Sequence, residues 1–236
     1  MKKNKRTVIR NVFQTPKVAQ ETRFALVADL HNGPFEDLLP ELYASDAVLI
    51  CGDLVDRHRD GYGESLAFLR EVAGKVPTFY AIGNHERKLP SREAYMKEAL
   101  RTDAILLDDR SETFRGLKIG GLSSKADGQA DTVFLEHFAA EEGFRLLLCH
   151  HPEMWNRYVK DTDIDLTLCG HAHGGQIQIA GQGIFAPGQG LFPHFTHGLY
   201  GDGRMLLSRG LTNNAGVPRI NVPCELHIVT VKPDVL

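Results

Sequence analysis

This 236-residue sequence has neither a long hydrophobic run nor a large excess of charge of one sign. No stretch approaches the roughly 18 consecutive apolar residues of a membrane-spanning helix, and no signal-peptide core follows the first lysines. The formal net charge of −3 provides no broad basic field, which disfavours nucleic acid as a partner. We therefore predict a cytoplasmic protein without a membrane span; the sequence does not fix its oligomeric state.

Cysteine is also scarce, with four residues and no Cys-x-x-Cys pair. Cys51, Cys149 and Cys169 each lie one or two residues before a polar residue that ends an apolar run, and Cys224 lies near the C-terminus. This placement favours small buried residues inside a sheet; a thiolate metal site is the alternative. Disulfides are not expected in a cytosolic enzyme.

Basic residues cluster at the N-terminus, at Lys2, Lys3, Lys5, Arg6 and Arg10. A solvated start of the chain or an early edge strand explains this cluster more simply than a lipid-binding patch does.

The first half of the chain alternates apolar runs with segments of helical periodicity, which is typical of parallel strands joined by helices. Helices are predicted at residues 35–44, 64–74 and 91–100, and Pro40 is expected to kink or shorten the first. In the second half, strands are predicted at residues 104–107, 112–115, 117–122, 177–180, 205–208 and 225–231, and helices at residues 132–142 and 153–160. Because there is no repeat, linker or low-complexity segment, we predict one α/β domain over residues 1–236, with two sheets covered outside by helices.

Five short apolar runs of this chain each end in acidic, amide or imidazole side chains. Apolar runs of this length are typical of buried strands, and the ligand-binding sites of open α/β sheets lie at the carboxyl ends of strands. In chain order the runs end in Asp29 and His31, in Asp53, in Asn84 and His85, in His150 and His151, and in His171 and His173. Carboxylates, an amide and several imidazoles that converge on one rim predict a pair of divalent metals. Oxygen and imidazole ligands without sulfur suit manganese, iron or zinc.

Each of these segments has an alternative interpretation when it is taken alone. Asp29 and His31 are two residues apart in an extended segment and so point the same way, yet Asp29 could equally cap a helix. Gly52 allows a tight turn that delivers Asp53, although a charged surface loop has the same composition. Asn84 after a glycine is also common in turns. A lone histidine is more often structural than a ligand, but several in neighbouring strand-end loops favour metal ligation.

Taken together, the ordered motifs Asp-x-His, Gly-Asp-x-x-Asp-Arg, Gly-Asn-His-Glu, His-x-Pro and Gly-His-x-His-Gly-Gly-Gln resemble the calcineurin-like metallophosphoesterase family. They extend from Asp29 to Gln176. The segment 208–211, Arg219 and Glu225 are similar to the closing part of a small bacterial phosphodiesterase branch. The resemblance implies a four-layer sandwich of two mixed β-sheets flanked by α-helices, with a dimetal site at the carboxyl ends of strands.

The resemblance also implies roles for individual residues. The first metal would be held by Asp29, His31, Asp53 and His173, and the second by Asp53, Asn84, His150 and His171. Asp53 would bridge the two, and His150 is preferred to His151 because it lies two residues before the proline. His85 resembles the general acid, Asp56 the residue that orients it, and Arg57 a phosphate contact.

The resulting prediction is a metal-dependent phosphoric ester hydrolase that cleaves a phosphodiester or pyrophosphate bond of a small organic or nucleotide substrate. Two metals about 3.5–4 Å apart would share a hydroxide, which attacks phosphorus in line. A protein phosphatase and a catalytically weak metal-binding scaffold of the same fold are the alternatives. The aromatic loop over residues 183–203 either forms an apolar wall for the substrate or packs on its own aromatics, and the second interpretation is favoured.

Overall fold

Two six-stranded mixed sheets face each other in the computed structural model of this chain, which describes residues 6–59, 61–125, 129–212 and 218–234. The strands are β1 Thr7–Thr15, β2 Thr22–Val27, β3 Ala47–Cys51, β4 Thr78–Ala81, β5 Ile105–Leu107, β6 Arg110–Phe114, β7 Leu117–Leu122, β8 Phe144–Cys149, β9 Leu166–Cys169, β10 Gln178–Ile179, β11 Gln182–Gly183, β12 Phe185–Ala186, β13 Gly190–Leu191, β14 Gly198–Tyr200, β15 Met205–Leu207 and β16 Glu225–Pro233. The α-helices are α1 Leu39–Tyr43, α2 Gly63–Ala73, α3 Asn84–Arg87, α4 Arg92–Ala99, α5 Thr132–Ala139 and α6 Pro152–Met154. A π-helical turn over Trp155–Val159 continues α6, and a 3-10 turn spans His173–Gly175.

The first sheet has the strand order β1-β16-β2-β3-β4-β5, and the second has the order β14-β15-β9-β8-β7-β6. In the first sheet β2, β3, β4 and β5 are parallel neighbours, while β16 runs antiparallel to β2. In the second sheet β7, β8, β9 and β15 are parallel, with antiparallel strands at both edges. The carboxyl ends of β2, β3, β4, β8 and β9 therefore supply all five segments that the sequence singles out.

Alternation of side chains along the strands divides the core into layers, because successive residues of a strand point to opposite faces. In β2, Ala25 and Val27 pack with side chains of α1, α2 and α4 on the outside of the first sheet. Phe24 and Leu26 point the other way and meet side chains of β7, β8 and β9 between the sheets. A third cluster fills the space between the second sheet and α5. The four-layer sandwich of two mixed sheets flanked by helices is thus confirmed.

Several element boundaries differ from those predicted. The first helix begins at Leu39 instead of residue 35, because Pro40 lies in its first turn, where a missing N–H costs nothing. The helix expected at 153–160 is α6 followed by the π-helical turn, and α5 ends at Ala139, three residues early. The strand expected at 177–180 is the two-residue β10. The short helix α3, directly after β4, was not predicted.

The basic N-terminus contributes an edge strand. Strand β1 pairs in parallel with β16 along its whole length, and Arg10 in it forms an ion pair with Glu41. Arg6 pairs with Asp37. The edge-strand interpretation therefore holds for the described part of this segment, whereas Lys2, Lys3 and Lys5 lie outside the described residues.

The cysteines are buried and carry free thiols. Burial raises the pKa of Cys51 and of Cys169 well above the ordinary value, so both remain protonated near neutral pH. The interpretation as small buried residues is therefore preferred to a thiolate metal site. Among the described residues, no helix is long and apolar enough to cross a membrane.

Candidate metal centre

The loops that follow the strands turn sharply at the residues expected to bind metal. Asp29, His31, Asp53, His171 and His173 all have positive φ, between 47° and 72°. This region is sparsely populated by residues other than glycine, and such conformations cluster at functional sites. The strained backbone turns these five side chains toward one point between the ends of the two sheets.

The first group of potential ligands comes from both sheets. Asp29 and His31 follow β2, and His173 follows β9 in the opposite sheet. Nε2 of His31 and Nε2 of His173 each lie 3.9 Å from Oδ1 of Asp29. The two imidazole rings stack at 5.2 Å, with 3.4 Å between their Nε2 atoms. One potential ligand atom from each residue lies within 4.8 Å of the others, which is compatible with one shared cation.

The second group is centred on Asp53. Its Oδ2 lies 3.2 Å from Nε2 of His150 and 3.9 Å from Nε2 of His31. Oδ1 of Asn84 approaches the same nitrogen of His150 at 3.1 Å. Asp53 therefore faces both the His31 side and the His150 side of the site, as a bridging carboxylate must.

His171 lies beside His150 but farther from the carboxylates. Its ring centroid is 5.1 Å from that of His150 and 4.3 Å from that of His151. These three histidines form a set whose ligand atoms lie within 4.8 Å of one another, and within the described residues no such set joins His171 to Asp53. The structure thus brings the seven expected ligands to one rim, and adds His151 to them.

Backbone carbonyls fix which ring nitrogen faces the site. Nδ1 of His31 lies 3.2 Å from the carbonyl oxygen of Val55, and Nδ1 of His150 lies 2.9 Å from that of Cys51. A carbonyl can only accept, so Nδ1 of each ring carries the proton, and Nε2 is free to present a lone pair in the neutral ring. Asp29 is held by the backbone N–H of His171, at 3.1 Å from Oδ2.

Burial and mutual proximity shift the titration of these groups. Burial raises the pKa of Asp29 to about 6. Burial also works against the charged form of Asp53, but His150 outweighs it and holds the pKa of Asp53 well below the ordinary range. Although burial opposes it, the same pairing raises the pKa of His150 to about 10. Burial lowers the pKa of His171 and of His173 well below the ordinary value, which leaves them neutral, the form that ligates metals.

The donor set fits divalent metal ions. Two buried carboxylates, an amide oxygen and four imidazoles supply only oxygen and nitrogen, the combination that suits manganese, iron or zinc. The described residues contain four overlapping sets of three candidate ligands, and Asp29, His31, Asp53 and His150 each belong to more than one set. Asp53 raises the pKa of His150, so positive charge beside these carboxylates is favourable, and divalent cations would supply it.

His85 lies at the edge of the cluster, with Nε2 3.9 Å from Oδ2 of Asp53. The backbone N–H of Arg57 donates to Nδ1 of His85 at 3.1 Å, so the proton of the neutral ring is on Nε2, the atom that faces the site. Oδ1 of Asp56 is 3.6 Å from Nδ1, beyond hydrogen-bond distance, and accepts from the backbone N–H of His58. Asp56 was expected to orient the ring of His85, but the direct hydrogen bond to that ring comes from the backbone N–H of Arg57.

Glu86 is a residue whose importance the sequence did not reveal. Its carboxylate is fully buried and accepts hydrogen bonds from the backbone N–H groups of Asp53, Leu54, Val55 and Gly83, at 2.6–3.2 Å. One side chain thus holds both the turn that carries Asp53 and the turn that precedes Asn84. Its place in the Gly-Asn-His-Glu motif was the only available signal.

A cavity of about 670 Å³ opens onto the cluster. Its lining includes His31, Asp53, His85, His171 and His173 from the cluster. Arg57 and His58 also line it, as do Phe185, Pro187 and Gly188.

The aromatic loop over residues 183–203 thus forms one wall of this cavity and also packs internally. Phe195 lies 5.1 Å from Tyr200 and 6.4 Å from Trp155, ring centroid to ring centroid. The ring contacts agree with internal packing, the favoured interpretation of this loop, while an apolar wall for the substrate stays a prediction.

Comparisons with known proteins agree with this geometry. The model of the calcineurin-like phosphoesterase family matches residues 22–175. A metallophosphoesterase of Campylobacter jejuni is 26% identical over 235 residues, which cover 93% of this chain and 61% of that protein. YpbG of Bacillus subtilis is 24% identical over 214 residues, covering 87% of this chain and 79% of YpbG. The phosphodiesterase YaeI of Escherichia coli is 28% identical over 229 residues, covering 88% and 81%. The chain spans about three fifths of the length of the Campylobacter relative.

Proposed function

Because this chain belongs to the calcineurin-like phosphoesterase family, we propose that it is a dimetal-dependent hydrolase that cleaves a phosphodiester or pyrophosphate bond of a small organic or nucleotide substrate. The observation that carries the proposal is the overlap of the candidate ligand sets at Asp29 and Asp53. A relative named as a phosphodiesterase supports a diester substrate. We also propose that residues 1–236 form one domain, since one apolar cluster joins the two sheets.

We assign Asp29, His31, Asp53 and His173 to a first metal, and Asp53, Asn84, His150 and His171 to a second. The distances around Asp53 support its bridging role, because its Oδ2 faces both His31 and His150. Manganese, iron and zinc are all compatible with these donors. When bound, the two ions neutralise phosphoryl charge and lower the pKa of the attacking water.

The remaining chemistry belongs to side chains around the cavity. Nε2 of His85 faces the site; as a general acid the ring would act as the imidazolium, with its second proton on Nδ1 on the side of Asp56, and would give the Nε2 proton to the departing alkoxide oxygen, a step that contributes about 10²–10⁴-fold to the rate. Arg57 lines the same cavity and would hold a phosphoryl oxygen with its guanidinium group. Glu86 holds the turn that carries Asp53 and the turn that precedes Asn84 in place through its four backbone hydrogen bonds.

The proposal is tested by hydrolysis of bis-p-nitrophenyl phosphate beside p-nitrophenyl phosphate. The enzyme is first stripped with a chelator and then resupplied separately with manganese, iron and zinc. Turnover that depends on metal, and that is faster with the diester, is expected. No turnover with any metal, although two ions bind per chain, would contradict the enzyme assignment, and no binding of metal would favour a scaffold.

A further inference from the structure

A second cavity, of about 350 Å³, adjoins the metal cavity. Asn84, Lys88, His151 and Gly188 line both, so the two spaces meet beside the proposed second metal. His85, the proposed proton donor, lines only the metal cavity. A substrate group in the second cavity is therefore not in contact with His85, and we place the leaving group in the metal cavity.

Basic side chains dominate the lining of this second cavity. Arg87, Lys88, Lys125 and Arg157 face Glu153 as the one acidic residue among the described lining residues. Arg87 is already paired with Asp108 at 3.4 Å, and Lys125 with Asp131 at 3.3 Å.

Two of the cations are available to a ligand. Lys88 and Arg157 are exposed, and neither forms an ion pair within 4 Å with another described residue. The guanidinium of Arg157 lies over the ring of Tyr158 at 5.8 Å from its centroid. Two cations that line one cavity without an ion-pair partner favour an anionic occupant.

His151 and Ser124 add polar contacts at the junction. Oγ of Ser124 lies 3.2 Å from Nδ1 of His151. His151 also lines both cavities, so its ring can contact the part of a substrate that joins the phosphoryl group to the second anion.

We propose that this second cavity binds a second anionic group of the substrate, a phosphate or a carboxylate, carried by the half that stays attached to the phosphorus. Lys88 and Arg157 are the residues that recognise it. The inference rests on the proposed function, because it assumes that a phosphoryl group occupies the metal cavity. Hydrolysis then releases the alcohol on the His85 side and leaves a phosphate monoester that retains the second anion.

A matched pair of substrates tests this inference. Thymidine 5′-(p-nitrophenyl phosphate) and the same compound with a 3′-phosphate release the same p-nitrophenol and differ only in the second anion of the retained half. For the metal-loaded enzyme, kcat/KM is expected to be about tenfold higher for the 3′-phosphorylated compound, mainly through KM. This preference is expected to shrink as salt is raised, because salt screens exposed charges.

The variant Lys88→Ala/Arg157→Ala is expected to lose the preference for the 3′-phosphorylated compound over the compound without the 3′-phosphate. Lys97→Ala/Lys160→Ala removes the same charge from exposed positions that line neither cavity, and it should keep the preference. Glu153→Gln should increase it, since the one acidic side chain would be neutralised.

Equal kcat/KM for the two compounds, or a preference that survives Lys88→Ala/Arg157→Ala, would overturn the anionic subsite and leave the phosphoesterase assignment intact. Absence of turnover with both compounds and with bis-p-nitrophenyl phosphate would overturn the proposed function, and the subsite with it.

Discussion

The proposed role of His85 as a general acid can be distinguished from metal ligation, because a general acid matters more for some leaving groups than for others. The Nε2 proton that faces the site matters most when a basic alkoxide departs, and least when p-nitrophenolate departs. His85→Asn is therefore expected to lower kcat by about 10²–10⁴-fold for an alkyl phosphodiester. The loss with bis-p-nitrophenyl phosphate should be much smaller, and metal content should stay at the wild-type level.

The check is to measure kcat of the wild type and of His85→Asn with both substrates, and to measure the metal content of both proteins by elemental analysis. An equal loss with both leaving groups would show that His85 is not the general acid.

Glu86 acts on the site through backbone groups and not through substrate. Glu86→Gln replaces an acceptor of four N–H bonds by a group that itself carries an NH₂, so at least one buried donor loses its partner. We expect a loss of about 2–4 kcal/mol in the free energy of unfolding. Metal affinity should fall about 10–100-fold, as is usual when a partner of the ligands is removed.

Calorimetric titration of metal into the stripped variant measures this effect. Wild-type metal affinity in Glu86→Gln would show that the turns around Asp53 hold their geometry without this carboxylate.

At the scale of elements, the turns after β3 and β4 lie so close together that only glycine fits between them. A Cβ atom on Gly83 would lie 2.6 Å from the backbone nitrogen of Asp53 and would also collide with its Oδ1. A Cβ atom on Gly52 would lie 2.7 Å from Cα of Gly83. The carboxylate of Asp53, the proposed bridge, is thus positioned by the contact of two strand ends.

Gly83→Ala is expected to destabilise the protein by about 1–3 kcal/mol, since the two turns must move apart. The same movement should weaken metal binding. Gly63→Ala, at the start of α2, places a methyl group where no atom lies within 4 Å, and it serves as the control with wild-type metal affinity. Thermal unfolding and metal titration of both variants test this expectation. Equal stability and equal metal affinity of the two variants would contradict the close packing of the two turns.

Sequence patterns predicted the elements that carry the ligands better than the elements around them. The runs that end at Asp29, Asp53, Asn84, His150 and His171 are buried on both faces, so they are uniformly apolar and easily recognised. Strand β1 is a half-exposed edge strand with several charged or polar residues, and its pattern resembles that of a solvated segment. The π-helical turn after α6 has no periodicity of its own to detect.

The candidate site was predictable to the extent that short motifs carry it. All seven expected ligands lie within five strand-end segments, so topology alone brings them together. The orientation of His85 depends on the backbone of Arg57, and the support of Asp53 depends on Glu86, 33 residues away. Such contacts form only through the tertiary fold, and no local pattern indicates them.

At the scale of the whole molecule, Glu225 links the two sheets beside the site. It begins β16 in the first sheet, accepts the backbone N–H of Arg209 after β15 at 2.8 Å, and lies 2.7 Å from Nε2 of His227. Burial opposes its charged form, but His227 and Arg209 outweigh burial and lower the pKa of Glu225 from 4.5 to about 2. The folded pKa lies below the unfolded one, so this stabilisation is complete above pH 4.5 and is lost as pH falls toward 2.

Glu225→Gln is therefore expected to lower the free energy of unfolding by about 2–3 kcal/mol at pH 7. The difference from wild type should narrow progressively below pH 4.5. Denaturant titrations of both proteins in the presence of a chelator, at pH 7, 5, 4 and 3, provide the measurement. A difference that stays constant over this range would show that the charge of Glu225 is not the source of the stabilisation.

The family assignment and the geometry around Asp53 are the observations on which the proposed metal site rests. The central claim is accordingly that two metal ions share Asp53 and that both are needed for hydrolysis.

That claim is tested most directly by titration of the stripped enzyme with Mn²⁺, with turnover of bis-p-nitrophenyl phosphate and bound metal measured on the same samples. Turnover is expected to rise with occupancy and to level off at two ions per chain. Asp53→Asn is expected to bind fewer ions and to lose activity on the order of 10³-fold or more, because it removes a ligand from both metals. Turnover without bound metal, full turnover at one ion per chain, or an Asp53→Asn variant with two ions and near-normal turnover would contradict the claim.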